Sequence, residues 1–284
     1  MAQTIGNPGT WLANVIGRTG RHVAASTSRL GSEDVAPPQV QTLSMQDIRG
    51  ALRDGWADFQ ASRSDVMFLV LLYPVMGLVL MGIGLQMSLV PLLFPLVAGF
   101  ALLGPVAAVG VYEISRRREA GEDAGMLSAL KVVERPSFSA ILVLGLYLAM
   151  LFLAWMAVAM TLYSVTMGPG APASIGAFLS QVLGTGAGWT MIVLGCGIGF
   201  VFALVVLAVS VVAFPLLLDR KTGLPVAVET SVRVTRQNPQ VILAWGALVA
   251  GLLVLGSLPF LLGLVLVLPW LGHATWHLYR RAVK

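Results

Sequence analysis

Glu113, His273 and His277 are the residues of this chain whose type and position could do chemistry. Each falls inside or at the end of a long stretch that is otherwise free of charge. An ionisable side chain in such a stretch is expensive to bury, which makes it a functional suspect. His273 precedes His277 by one helical turn, so both share a face. Glu113 and His277 each stand eight residues after a proline, Pro105 and Pro269, in two runs that align with one another. A Glu113–His277 pair with His273 deeper could hold a proton, a metal or a quinone head group. The plainer reading is that all three reach the head-group layer, with the histidines making ordinary hydrogen bonds. The one cysteine, Cys196, has no partner for an intramolecular disulfide and lies in an apolar run, which reads as a small buried packing residue. The sequence has no Gly-rich phosphate loop with a lysine, no His-Glu-x-x-His, no Cys-x-x-Cys and no Gly-x-Ser-x-Gly. Three histidines, one of them His22 near the N-terminus, are too few for a multi-haem or haem–copper centre. No catalytic residue, metal ligand or cofactor is assigned on these grounds, and the expectation is a protein that is not an enzyme.

The elements that must position these residues are membrane spans. Of 284 residues, 57% are hydrophobic and 11% charged, whereas a soluble domain carries about a quarter charged residues. Such a chain has too little polar surface to face water all round, and the bilayer is the solvent that resolves this. The net charge of +5 therefore points to anionic lipid as the partner rather than nucleic acid. Three blocks lack Asp, Glu, Lys and Arg: Val66–Tyr112, Pro136–Leu218 and Gln237–Tyr279, of 47, 83 and 43 residues. One crossing takes about 20 apolar residues, so each block fits two crossings and a turn. Pro91 punctuates the first block and Gly256-Ser257-Leu258-Pro259 the third. All 18 Lys and Arg residues lie outside the blocks. If each block is a hairpin they all fall on one side, which the positive-inside rule makes the cytoplasm. The expected fold is all-α: a polytopic membrane protein with six transmembrane helices as three hairpins, about 66–114, 137–218 and 240–279, plus short cytoplasmic amphipathic helices. Residues 1–43 read as a disordered cytoplasmic tail and 44–284 as the membrane domain. The first apolar run begins near Val66 with no secretory signal before it.

Each hairpin follows a similar short segment: Ala51-Leu52-Arg53, Ala129-Leu130-Lys131 and Ser231-Val232-Arg233. This reads as three copies of one unit, an amphipathic cytoplasmic helix followed by span, turn, span and a basic stop. Ser44 with Asp47 forms a capping-box-like start for the first helix. Ile48, Ala51, Leu52, Trp56 and Phe59 then share a face, expected at the cytoplasmic interface of the bilayer. Ser174 is placed to cap a short helix in the outer connection 164–188, with Ile175, Phe178, Leu179, Val182 and Leu183 on one face. Gly195, Gly199 and Ala203, spaced four apart, predict a close helix contact.

Three runs resemble the family of predicted bacterial integral membrane proteins called domain of unknown function 2189. They are Ala51-Leu-Arg-Asp-Gly-Trp-Ala-Asp-Phe59, the run Phe94 to Arg117 that ends Val-Gly-Val-Tyr-Glu-Ile-Ser-Arg-Arg, and Leu268-Pro-Trp-Leu-Gly-His-Ala-Thr-Trp-His-Leu-Tyr-Arg-Arg281. The resemblance covers roughly residue 45 to the end. It implies a plasma-membrane location in bacteria and no established activity. Some members carry a cytochrome c oxidase label, which the histidine count here makes compatible only with an accessory or assembly role. Two functions follow as expectations. One is a non-enzymatic accessory or scaffold protein for a membrane complex, a respiratory one being the example that the resemblance suggests, with other membrane-protein subunits as partners. The alternative is a transporter or channel for a neutral or lipophilic solute, suggested by the repeat and the Pro/Gly breaks.

Overall fold

A computed structural model of the chain describes residues 38–86, 88–258 and 261–284. The rest of the expected N-terminal tail, including His22, lies outside the described residues. The described chain is all helical, with an isolated antiparallel bridge between Val40 and Val283. Twelve α-helices are described: α1 Met45–Gly84, α2 Leu93–Ala101, α3 Gly104–Ala107, α4 Val109–Glu119, α5 Met126–Leu130, α6 Phe138–Met167, α7 Ile175–Gly184, α8 Gly186–Ser210, α9 Ala213–Asp219, α10 Leu224–Gln237, α11 Pro239–Ser257 and α12 Leu264–Ala282.

Among the described residues, three stretches are long and apolar enough by length and composition to cross a membrane: Phe138–Met167, Gly186–Asp219 and Pro239–Ser257, with mean hydropathies of 2.5, 2.9 and 2.0. Six spans are expected, and the other apolar segments, Tyr73–Gly84 and Val90–Ala101 among them, are shorter or interrupted for identifiable reasons. Between residues 90 and 119 the chain is broken by Pro91 and by Gly104-Pro105 into a 3₁₀ turn and three short helices, because proline supplies no N–H to the ladder. Helix α12 is apolar at its start but carries His273, Thr275, His277, Arg280 and Arg281 in its second half. The first amphipathic segment is not a separate short helix either. It begins at the expected cap, with the Ser44–Asp47 capping box formed, and continues into α1 as far as Gly84. At Ser62 the backbone leaves helical geometry (φ −125°, ψ 16°). The Ser62 hydroxyl donates to the Asp58 carbonyl at 2.8 Å, a back-bond of the kind that bends helices. So the amphipathic part and the apolar part are joined by a kink rather than a loop.

The amphipathic face of α1 packs against α12. Ile48, Ala51 and Phe59 are buried. Trp56 stays more than a third exposed but meets Trp270 edge-on at 5.3 Å. The Trp270 indole N–H donates to the Leu52 carbonyl at 2.9 Å. Closest approach is at Gly55, where an added Cβ would lie 2.6 Å from Ala274 Cα. Further along, Tyr73 stacks on Phe100 at 4.2 Å, which ties the second half of α1 to α2.

Helices α6 and α8 pair as the small-residue spacing predicts. Gly199 faces the Trp155 ring, where a Cβ would meet Cη2 at 3.0 Å, and Gly195 faces Leu162. Ser174 caps α7 through Ala177 N–H at 3.1 Å. Cys196 differs from expectation: it is exposed, because the contact with α6 runs through Gly195 and Gly199 on the adjacent face.

Residues 38–43 lie against the C-terminal end. Gln39 and Lys284 exchange backbone hydrogen bonds at 3.1 and 3.0 Å, so the start of the described chain and its last residue are neighbours. Asn238, buried between α10 and α11, clamps this segment. Its Oδ1 accepts from Leu43 N–H at 2.7 Å, and its Nδ2 donates to the Gln41 and Val234 carbonyls at 3.1 and 3.2 Å. Asn238→Ala would strand buried backbone groups and is expected to cost about 1–3 kcal/mol. Denaturant titration of the detergent-solubilised protein would show it, and an unchanged midpoint would contradict the clamp.

Candidate functional site

The ionisable residues that the sequence singles out lie at one end of the fold, Glu113 on α4 and the two histidines on α12, but not as the expected pair. Glu113 does not meet His277. It is fully buried and surrounded by guanidinium groups: Arg116 Nε at 2.9 Å, Arg117 Nε at 2.7 Å and Arg135 Nη2 at 2.8 Å. Arg135 also donates to the Leu218 carbonyl at 3.3 Å. Glu113 is therefore a hub that ties α4 to the 131–135 segment and to the end of α9. The matched prolines explain the misplacement. Pro105 begins the short helix α3, after which the chain starts α4 afresh, whereas Pro269 lies inside the unbroken α12. Eight residues of spacing thus lead to different positions in the two runs.

His277 instead meets Asp58, with Nε2 2.9 Å from Oδ2. The same carboxylate oxygen accepts the Ser115 hydroxyl at 2.9 Å. The other oxygen, Oδ1, takes Arg118 Nε at 2.9 Å. Ser115 Oγ lies 2.6 Å from His273 Nδ1. The proton positions follow from valence. A carboxylate accepts only, so His277 Nε2 and Ser115 Oγ both donate to it. The Ser115 hydroxyl has a single proton, so at its other side it accepts, and His273 Nδ1 carries the hydrogen. His273 Nε2 is then left with a lone pair. It is buried with no hydrogen-bond partner.

The order of these groups sets their chemistry. A serine nucleophile needs a histidine to take its proton and a carboxylate behind that histidine. Here the serine stands between carboxylate and histidine, and Ser115 is almost wholly buried. The arrangement suits holding and passing a proton rather than attacking a substrate. Among the described residues no group of three or more His, Cys, Asp or Glu side chains is placed to hold a metal ion.

Around this chain of contacts lies a wider ionic collar. Tyr279 donates to Asp219 at 2.6 Å, and Arg280 bridges Asp219 and Glu119 at 3.1 and 3.0 Å. The Trp276 indole donates to Glu119 at 3.0 Å. Arg281 pairs with Asp54 at 2.6 Å. The last two turns of α12 are in this way tied to α1, α4 and α9.

Burial alone would raise the Asp58 carboxyl, but hydrogen bonds from His277 and Ser115 and the neighbouring imidazoles outweigh it and hold the group below the usual carboxylate range. Asp54 behaves alike: burial opposes ionisation, and Arg281 and Arg53 overcome it. A carboxyl depressed in the folded state adds stability above its unfolded value of about 4 and loses it as the pH falls through the lower folded value. Stability is therefore expected to fall on acidification below about pH 4, and less steeply in Asp58→Asn. Thermal unfolding between pH 3 and pH 7 tests this. Identical profiles for the two proteins would contradict it.

Nothing in the residue types or spacing of the sequence analysis marks Asp58, Ser115 or Arg118 as site residues. A signal existed for Asp58. Ala51, Gly55, Asp58 and Ser62 recur at intervals of four, three and four, which places a carboxylate on a stripe of small residues. On a helix that is the stripe most able to approach a neighbour.

No curated protein and no solved structure matches the chain. Residues 93–219 match the model of DUF2189, a family described as a predicted integral membrane protein.

Proposed function

We propose that this chain is a six-span protein of the bacterial plasma membrane, with both termini cytoplasmic, that serves as a non-enzymatic accessory or scaffold protein for a membrane complex. The observation that carries this reading is the division between its two parts. The ionic collar locks α1, α4, α9 and α12 together at the basic end. The long apolar helices, in contrast, turn large side chains outward, such as Leu153 and Phe200, which are 64% and 59% exposed. Such faces are buried by lipid or by other membrane helices, and small-residue contacts such as Gly199 against Trp155 show how closely helices pack here. The Gln39–Lys284 pairing supports termini on one side. In this topology α1 and α2–α4 form one pair of crossings, α6 and α8 the second, and α11 and α12 the third.

The test is purification of the tagged protein at native level in mild detergent, with quantitative mass spectrometry. One membrane complex recovered in fixed stoichiometry, and lost on Leu153→Arg, supports the reading. The protein recovered alone under several detergents contradicts it.

A second reading is a transporter or channel for a neutral or lipophilic solute, and its starting point is a cavity of about 40 Å³ between α1, α2 and α11, lined by Tyr73, Phe100, Leu253 and Ser257 among others. That volume suits a water molecule. The solute reading therefore requires the helices to separate in transport, and flux into proteoliposomes would establish it.

A further inference from the structure

We propose that Asp58, Ser115 and His273 form a proton relay running from the collar of the protein to a buried inner port, the Nε2 atom of His273. The proposal rests on the geometry and holds whether or not the chain has a membrane partner. The links are continuous: 2.9 Å from Asp58 Oδ2 to Ser115 Oγ, and 2.6 Å from Ser115 Oγ to His273 Nδ1. The outer end is reached from His277, whose side chain is 21% exposed and hydrogen-bonded to the same Asp58 oxygen. The inner end is fully buried, and Nε2 has no partner. Unpaired buried acceptors are uncommon in folded proteins and call for an explanation. The bond to Ser115 accounts for one ring nitrogen of His273, and the orphaned Nε2 is the atom that the relay explains.

The resting state is Asp58 carboxylate, Ser115 hydroxyl donating to it, and His273 in its Nδ1–H form. When a proton reaches Nε2, the Nδ1 proton passes to Ser115 Oγ and the former hydroxyl proton passes to Asp58 Oδ2. One proton has entered at His273 and one now sits on Asp58. Both histidine forms are neutral, and no heavy atom has moved. The reverse sequence delivers a proton from Asp58 to the inner port. The charged and titratable groups that face this path are Asp58 on α1, Arg118 on α4 and His277 on α12. Arg118, held at 2.9 Å on the other Asp58 oxygen, favours the carboxylate and so sets the resting direction.

The relay makes a prediction that a static hydrogen-bond network does not. Protonation of Asp58 must be accompanied by a switch of His273 from the Nδ1–H to the Nε2–H tautomer. The full chain, labelled with ¹⁵N-histidine in nanodiscs of phosphatidylethanolamine and phosphatidylglycerol, would be titrated with acid. Imidazole ¹⁵N shifts report the tautomer, assigned by loss of signals in His273→Gln, and the infrared carbonyl band lost in Asp58→Asn reports the carboxyl. The expected result is an Nδ1–H tautomer for His273 at neutral pH, and conversion to Nε2–H over the same pH range in which the Asp58 band appears. In Ser115→Ala the two events should separate, and Ser115→Thr, which keeps the hydroxyl, should restore their coincidence. An Nε2–H tautomer at neutral pH in the unaltered protein would overturn the proposal. So would His273 becoming doubly protonated while Asp58 stays ionised.

Discussion

Replacing Glu113 by glutamine is expected to cost about 3–5 kcal/mol of stability, the penalty for removing one partner of a buried ion pair. The size follows from what is left behind. Arg116, Arg117 and Arg135 all point at the two Glu113 oxygens from within 3 Å, and their side chains are three-quarters or more buried. Glutamine keeps the shape and one acceptor but not the charge, so three guanidinium groups would be left with the half-exposed Glu122, 3.2 Å from Arg116 and 3.8 Å from Arg117, as their remaining carboxylate. An exposed pair would contribute no more than about 1 kcal/mol, so the magnitude itself separates a hub from a decorative salt bridge. Adding Arg135→Gln to Glu113→Gln should recover part of the loss, because the second change removes one stranded cation. Unfolding of the detergent-solubilised variants checks both statements. A loss below about 1 kcal/mol for Glu113→Gln would show that water already screens the cluster.

Gly55→Ala is expected to destabilise the protein by about 2 kcal/mol, although alanine is the better helix former by about 1 kcal/mol. The methyl group would come within 3 Å of Ala274 Cα and Cβ, and the obstacle is backbone on α12 rather than a side chain that could swing away. Overpacking of this kind costs about 1–3 kcal/mol, and a backbone obstacle puts the cost at the upper end. Gly82, in the same helix, is the internal control. A Cβ there meets nothing within 4 Å, so Gly82→Ala should leave stability unchanged or raise it by up to about 1 kcal/mol. If both substitutions act alike, propensity and not the α1–α12 contact decides, and the packing described for these helices is wrong.

The parts of the fold that could be read from the sequence are those governed by local rules. The Ser44–Asp47 cap, the Ser174 cap and the Gly195/Gly199 contact each need only a few residues at fixed spacing, and each is present. The all-helical class follows from the uncharged blocks. What could not be read was how segments meet. The sequence gives no sign that α1 continues through Ser62, because a hydroxyl back-bond bends a helix without breaking its pattern. The runs after Pro105 and Pro269 look alike, yet one begins new helices and the other continues one, so Glu113 and His277 acquire different partners. His273 and His277 were legible as suspects because they are polar within apolar sequence. Asp58 and Ser115 were not, since Asp58 lies in a charged amphipathic stretch and Ser115 in a basic stop. In each place the polar residue looks ordinary until its partner from another helix is known.

The central claim, that every basic segment lies on one side of the bilayer, is tested most directly by cysteine accessibility in intact cells. With Cys196→Ser as background, single substitutions Gln86→Cys, Ala173→Cys and Leu262→Cys probe the three expected outer turns, and Arg53→Cys, Glu122→Cys and Lys221→Cys probe the collar side. A membrane-impermeant maleimide should label the first three in intact cells and the second three only after the membrane is opened. Labelling of any collar position in intact cells would place a basic segment outside and contradict the three-hairpin topology.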